Sequence, residues 1–294
     1  MTKKNDISAN SLKIPKVILI TAKLLEVLAP KFAVLFAARL FTSPIKHKIP
    51  KREFHMLNHS NQEFITIPPI NKKINVYHYG KSERKVLLVH GWSGRGTQLV
   101  KIADELLKLG FSVVSFDAPA HGRSGGRTTL MSDFIASILE LEKLFGPFEF
   151  AIGHSLGSMS ILNAIKQSFN VKKVVIIGSG DIIQDIIDDF VRKLQMNPEI
   201  GNKLRYYFEK KYGLEMNSFS ASRAAESVEI PVLIIHDEND DDVPVKAAHH
   251  IHQHLKISEL LITQGLGHRK ILGNAEVMQK IIAFMTVEVD HKIS

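Results

Sequence analysis

Past residue 60 the chain alternates short, continuous apolar runs with longer segments whose apolar residues recur every three or four positions. "EFITI" (63–67) and "INVYHYG" (74–80) read as a leading pair of strands, joined by the turn chemistry of "PPINKK". "KVLLVHG" (85–91), "FSVVSFD" (111–117), "FEFAIGH" (148–154), "VKKVVIIGSG" (171–180) and "IPVLIIHDEND" (230–240) are the runs expected of strands buried on both faces. Helical spacing falls between them. "TQLVKIADELLKLG" (97–110) closes on Gly110, a C-terminal cap, and further helices are expected over Met131 to Phe145, Leu156 to Phe169, Lys246 to Leu255 and Asn274 to Met285. "SELLITQGLGH" (258–268) supplies a last strand. Strands alternating with helices predict an α/β fold, a doubly wound and mostly parallel sheet covered on both faces.

Ligands of such sheets sit at the carboxyl ends of the strands. The polar residues at those ends are His90, Asp117, Ser155, Ser179 with Asp181, Asp240 and His268. One interval breaks the alternation. Between Ile177 and Val232 come two helical segments, "DIIQDIIDDFVRKLQ" and "PEIGNKLRYYFEKKYG", far more chain than a crossover of a dozen or so residues requires. The expected organisation is therefore an α/β core over 61–180 and 229–290, a small helical cap over 181–228, and a separate N-terminal segment over 1–60.

Charge sets that N-terminal segment apart. Residues 1–52 hold eleven Lys and Arg against Asp6 and Glu26, which leaves 27 basic and 28 acidic residues in the rest. The basicity belongs to a segment, so no nucleic-acid-reading face is expected on the core. From Val17 to Phe41 the segment is strongly apolar but interrupted by Lys23, Glu26, Pro30, Lys31 and Arg39. A spanning helix wants about 20 apolar residues with few charges, and no small-residue cleavage site marks a signal peptide. Two amphipathic helices meeting near Pro30 fit better. Two accounts stay open: residues 11–44 lie on a membrane surface, or they pack on the domain as a lid. The expected location is cytoplasmic, peripheral to the inner face of a membrane in the first case. The oligomeric state is not legible. The absence of cysteine removes disulfides, thiolate metal sites and cysteine nucleophiles.

The chemistry centres on "GHSLG", residues 153–157. Gly-x-Ser-x-Gly between a strand and a helix places the serine in a strained bend at a helix N-terminus, where unpaired N–H groups favour negative charge. A turn serine is the plain alternative, but an acid and a histidine follow in order at strand ends. Residues 63–285 resemble the α/β-hydrolase superfamily of the esterase and lipase type. "LLVHGWSG" resembles its first-strand turn, "SFDAPAHGRSGG" its Asp-x-x-Gly-x-Gly-x-Ser loop, "HDENDDDVP" its acid turn and "GLGHRKIL" its final histidine loop.

The resemblance implies a catalytic triad of Ser155, Asp240 and His268, and an oxyanion hole from the backbone N–H groups of Trp92 and Leu156. No cofactor and no metal are required. Asp237, Asp241, Asp242 and Asp181 are alternative acids, and with Asp240 in the triad, substitution of Asp237 is expected to be mild. His90, Asp117 and His121 read as loop braces. "HHIHQH" (249–254) places His250 and His254 four residues apart, as two metal ligands would be, but a solvated helix face explains them without a third ligand. The expected partner is a small-molecule ester. Thioesters, lipid esters and lactones stay open, as does a catalytically silent scaffold of the same fold.

Overall fold

The computed structural model describes residues 14–287. The chain begins with two helices, α1 (Lys16–Leu28) and α2 (Pro30–Phe41). They meet at Pro30, the first residue of α2, where a missing N–H costs nothing. The rest of the N-terminal segment then folds further than its sequence indicated, into a short helix, α3 (Phe54–His59), whose Met56 is buried. The core follows as β1 (Asn61–Ile67), β2 (Lys72–Tyr79), β3 (Lys85–Val89), α4 (Val100–Lys108), β4 (Ser112–Asp117), α5 (Met131–Phe145), β5 (Phe150–His154), α6 (Leu156–Lys166) and β6 (Lys173–Ile177). Three helices precede the next strand: α7 (Ile183–Lys193), α8 (Glu199–Tyr212) and α9 (Ala221–Ala225). The chain closes with β7 (Val232–Asp237), α10 (Lys246–His254), β8 (Ser258–Thr263), α11 (Gly267–Lys270) and α12 (Ala275–Thr286).

The eight strands form one sheet in the order β1-β2-β4-β3-β5-β6-β7-β8. β1 and β2 run antiparallel at one edge, and β4 onwards is parallel. Alternation within each buried run divides its side chains between two cores. Val86 and Leu88 of β3, Val175 and Ile177 of β6, and Leu233 and Ile235 of β7 face α3, α4 and α12. Their neighbours Leu87, Val89, Val174, Ile176, Val232 and Ile234 face α5, α6 and the cap helices. A sheet covered on both sides needs apolar residues at consecutive positions, which is why these strands read as unbroken runs.

Above the carboxyl edge, Ile183, Ile187 and Val191 recur every fourth residue on α7, as do Ile200, Leu204 and Phe208 on α8, giving each helix one buried stripe. The α1–α2 hairpin packs on this cap. Ala22, Ala33 and Ala37 are fully buried, small enough to let the helices approach closely. Phe41 meets the rings of Phe190 and Phe208 at centroid distances of 5.2 and 5.6 Å. Glu26 accepts from the Asn197 N–H at 2.5 Å. The inner face of the hairpin therefore belongs to the main core. Among the described residues no helix is long and apolar enough to cross a membrane.

Candidate active site

Ser155 joins β5 to α6 with φ 53° and ψ −120°, a left-handed conformation that a β-substituted residue adopts only under constraint. The constraint is packing. A Cβ on Gly157 would lie 2.3 Å from the Val89 carbonyl oxygen, and one on Gly153 would lie 2.6 Å from the Ser158 nitrogen. Only glycine permits the strand and helix to close around the serine. The Ser155 N–H donates to the Ile177 carbonyl at 2.9 Å, which fixes the bend against β6.

His268 and Asp240 meet beside this bend. His268 Nδ1 donates to Asp240 Oδ2 at 2.7 Å, and the other carboxylate oxygen accepts the N–H groups of Asp242 and Val243 at 2.9 and 2.8 Å. Burial pushes the Asp240 carboxyl up, but the hydrogen bond and charge of His268 and the backbone donors outweigh it and hold it below the usual carboxylate range. Both side chains abut Gly178, where an added Cβ would lie 3.2 Å from the imidazole and 3.6 Å from the carboxylate. His268 stands in the first turn of α11 rather than in an open loop. Among the described residues no hydrogen bond links the Ser155 hydroxyl to His268. Such bonds often tighten only when substrate binds.

Of two neighbours of this group, His154 had no role in the sequence reading and Asp237 stood there only as an alternative acid. His154, buried next to the serine, donates from Nε2 to the His268 carbonyl at 2.9 Å, and the two rings lie 4.6 Å apart. It braces the backbone that carries His268. Among the described residues the Asp237 carboxylate makes no hydrogen bond to the His268 side chain. The carboxylate accepts from Thr263 Oγ1 at 2.7 Å and from the backbone N–H groups of Asn239, Leu266 and Gly267 at 3.0, 3.0 and 2.9 Å. Burial raises the carboxyl, and these four donors more than offset it, leaving it below its ordinary value. Asp237 thus clamps the loop leading into His268.

Trp92 and Leu156 flank Ser155 on the same cavity wall. Among the described residues neither backbone N–H has an acceptor; Leu156 is the first residue of α6, where N–H groups are free. The Trp92 loop is held by neutral histidines. The Ala118 N–H donates to His90 Nε2 at 3.0 Å, leaving Nδ1 to donate to the Gly91 carbonyl at 2.7 Å. The Ser93 N–H donates to His121 Nε2 at 3.0 Å, and His121 Nδ1 donates to the Pro119 carbonyl. Asp117 ties the two loops, accepting from the N–H groups of Gly96 and Arg123, both at 2.7 Å, and from the Tyr77 hydroxyl at 2.9 Å. His90, His121 and Asp117 sit where braces are needed.

A cavity of about 940 Å³ opens over Ser155, walled largely by apolar side chains. Met131, Met159, Ile186 and Phe219 line it, and so do Leu40 and Phe41 from α2. His250 reaches its wall and pairs through Nδ1 with Asp181, while His254 Nδ1 donates to the His250 carbonyl at 2.8 Å.

The buried histidines predict an acid-labile fold. Burial lowers His121 to about 4, and burial followed by the charge of His268 lowers His154 to about 3. Burial and then His121 push His90 well down. The unfolded chain binds protons at these positions before the native state does, so stability is full above about pH 6.5 and lost as pH falls toward about 4. His121 alone contributes roughly 3 kcal/mol at about 1.36 kcal/mol per unit. Urea denaturation at stepped pH values should show this decline. A midpoint that stays constant through the window would contradict it.

Two family models match the chain in succession: one for the alpha/beta hydrolase fold over residues 85–213, and one described as TAP-like protein over residues 215–289. No curated protein matches in sequence. Among solved structures, the Pyrococcus furiosus esterase Pf2001 superposes with a TM-score of 0.64 at 18% identity, covering 83% of this chain and 97% of its own. An esterase from Exiguobacterium antarcticum gives 0.60 at 16% identity, with 76% and 99% covered. A bromoperoxidase from Bacillus anthracis gives 0.59 at 16% identity, also with 76% and 99% covered. The chain has the α/β-hydrolase fold.

Proposed function

We propose that the protein is a serine hydrolase that cleaves carboxylic esters through an acyl-enzyme. The observation that carries this reading is the convergence of a strained Ser155 with the His268–Asp240 pair beneath an apolar cavity. A serine hydroxyl is a weak nucleophile until a base takes its proton. Ser155 Oγ attacks the ester carbonyl carbon as His268 Nε2 accepts the hydroxyl proton. Asp240, bonded to Nδ1, fixes the tautomer in which Nε2 is the free base and stabilises the imidazolium that forms. The negative charge on the former carbonyl oxygen is met by the Trp92 and Leu156 N–H groups, each such donor being worth about 2.7–4 kcal/mol. Collapse breaks the ester C–O bond, and the alcohol leaves with the proton from His268. Water, deprotonated by the same imidazole, then releases the acid and restores Ser155. No cofactor takes part.

The cavity supports an acyl group longer than acetyl, since its volume falls within the range that buries whole small ligands. Each methylene buried is worth up to ~0.8 kcal/mol, about fourfold in kcat/KM. With p-nitrophenyl esters of rising chain length, kcat/KM is expected to climb from acetate through octanoate. Fastest turnover of the acetate would remove the acyl-pocket assignment. Acyl thioesters run in the same panel distinguish an esterase from a thioesterase. No hydrolysis of any member would favour a silent scaffold that retains the site geometry.

A further inference from the structure

The α1–α2 hairpin has used only one of its apolar faces. Ile18, Ala22 and Leu25 of α1 pack inward with Ala33 and Ala37 of α2. On the outer side Val17, Ile20, Leu24, Val27 and Leu28 of α1, joined by Phe32 of α2, are each more than half exposed. Val27 and Leu28 at the tip of the hairpin reach 78% and 77%. The α1 residues recur at intervals of three and four, so they form a continuous stripe along one side of the helix. Single exposed apolar residues are ordinary, but a contiguous stripe of this kind marks a surface meant to be covered.

The charge around the stripe selects what covers it. Lys16, Lys23, Lys31 and Arg39 are exposed on the same two helices. The only acid on the hairpin, Glu26, is engaged by the Asn197 N–H and lies 3.9 Å from Lys23. Among the described residues Lys16, Lys31 and Arg39 have no carboxylate partner. Eleven basic residues against two acids over residues 1–52 make this part of the sequence strongly cationic. A second copy of the chain would bring these like charges together, whereas a surface of anionic lipid headgroups over an apolar interior complements both features. We infer that the α1–α2 hairpin docks the protein on an anionic lipid bilayer, with α1 lying in the interface and its outer stripe in the acyl boundary. The cytoplasmic leaflet is such a surface. Because α2 also supplies Leu40 and Phe41 to the cavity, the docked hairpin links the bilayer to the wall beside Ser155.

Deleting residues 1–44 would strip that wall, so the test uses the full chain and reads binding without reference to activity. Wild-type protein is sedimented with phosphatidylcholine vesicles and with vesicles containing phosphatidylglycerol, over a series of salt concentrations. It should partition to the anionic vesicles, and the partition should fall as salt screens the basic residues. Val27→Glu with Leu28→Glu, at positions outside the core, should lower the partition about tenfold or more while leaving the melting temperature and p-nitrophenyl acetate turnover unchanged. Lys16→Glu with Lys31→Glu should weaken binding through charge alone. The inference is overturned if wild type ignores anionic vesicles at low salt, or if neither pair of substitutions alters binding. It is equally overturned if wild type is a dimer that Val27→Glu with Leu28→Glu renders monomeric, which would assign the stripe to a second copy.

Discussion

Replacing Ser155 by alanine is expected to abolish ester hydrolysis, with kcat lower by about 10⁴-fold or more, as when a triad nucleophile is removed. The fold should survive. The Ser155 hydroxyl makes no hydrogen bond among the described residues, and the contacts that set the bend are its backbone N–H to Ile177 and the glycines on either side. Alanine can occupy the same backbone position at the cost serine already bears. Circular dichroism and thermal melting of S155A should match wild type. Residual turnover within tenfold of wild type, in protein cleared of contaminating esterases, would exclude Ser155 as the nucleophile.

The two aspartates of the acid turn are expected to fail in different ways. Asp240→Asn removes the carboxylate that fixes the His268 tautomer, and a loss of about 10⁴-fold in kcat is expected from the corresponding change in other triads. Stability should change little by comparison, because asparagine can still accept the Asp242 and Val243 N–H groups. Asp237→Asn leaves His268 its direct partner but replaces one of two oxygens that between them accept four donors with an NH₂ group. Unsatisfied buried donors cost about 1–3 kcal/mol each, so the melting temperature should drop and activity should fall through misplacement of the His268 loop. The mild outcome expected from the sequence alone is therefore revised for Asp237. A pair of measurements, kcat and melting temperature, separates the two roles. If Asp237→Asn abolished turnover in a fully stable protein while Asp240→Asn kept its activity, the assignment of the acid would be reversed.

How these residues could be read in advance differs with the physics behind each. The central strands were legible because a strand buried on both faces must be apolar at consecutive positions, as in β6 and β7. α5 was legible to its ends because fifteen residues give four turns of clear spacing. The short helices α3, α9 and α11 were not, since one or two turns leave no period to detect. Nor was the placing of β3 between β4 and β5, which is a property of the crossovers rather than of any one segment.

The same division runs through the site. Ser155 announces itself locally, because its glycines are demanded by atoms of the adjoining strand and helix. Asp237 and Asp240 stand three residues apart in one acidic turn, and only the loop after β8, some thirty residues later, distinguishes them. His154 occupies a variable position of the serine motif, and its bracing role depends on a carbonyl 114 residues away. The N-terminal helices read as apolar on more than one side, which left packing and membrane contact equally open. The structure gives their inner face to the core and leaves the outer stripe exposed.

Covalent labelling with a fluorophosphonate probe tests the central claim most directly, because only an activated serine reacts quickly and the product can be mapped by mass spectrometry. The account predicts rapid, stoichiometric modification of the peptide containing Ser155 in wild type. Labelling should be lost in S155A and slowed severely in His268→Ala, which retains the hydroxyl but lacks the base. A wild-type protein that is folded yet resists the probe, or that is labelled at a residue other than Ser155, would contradict the assignment of Ser155 as a nucleophile activated by His268.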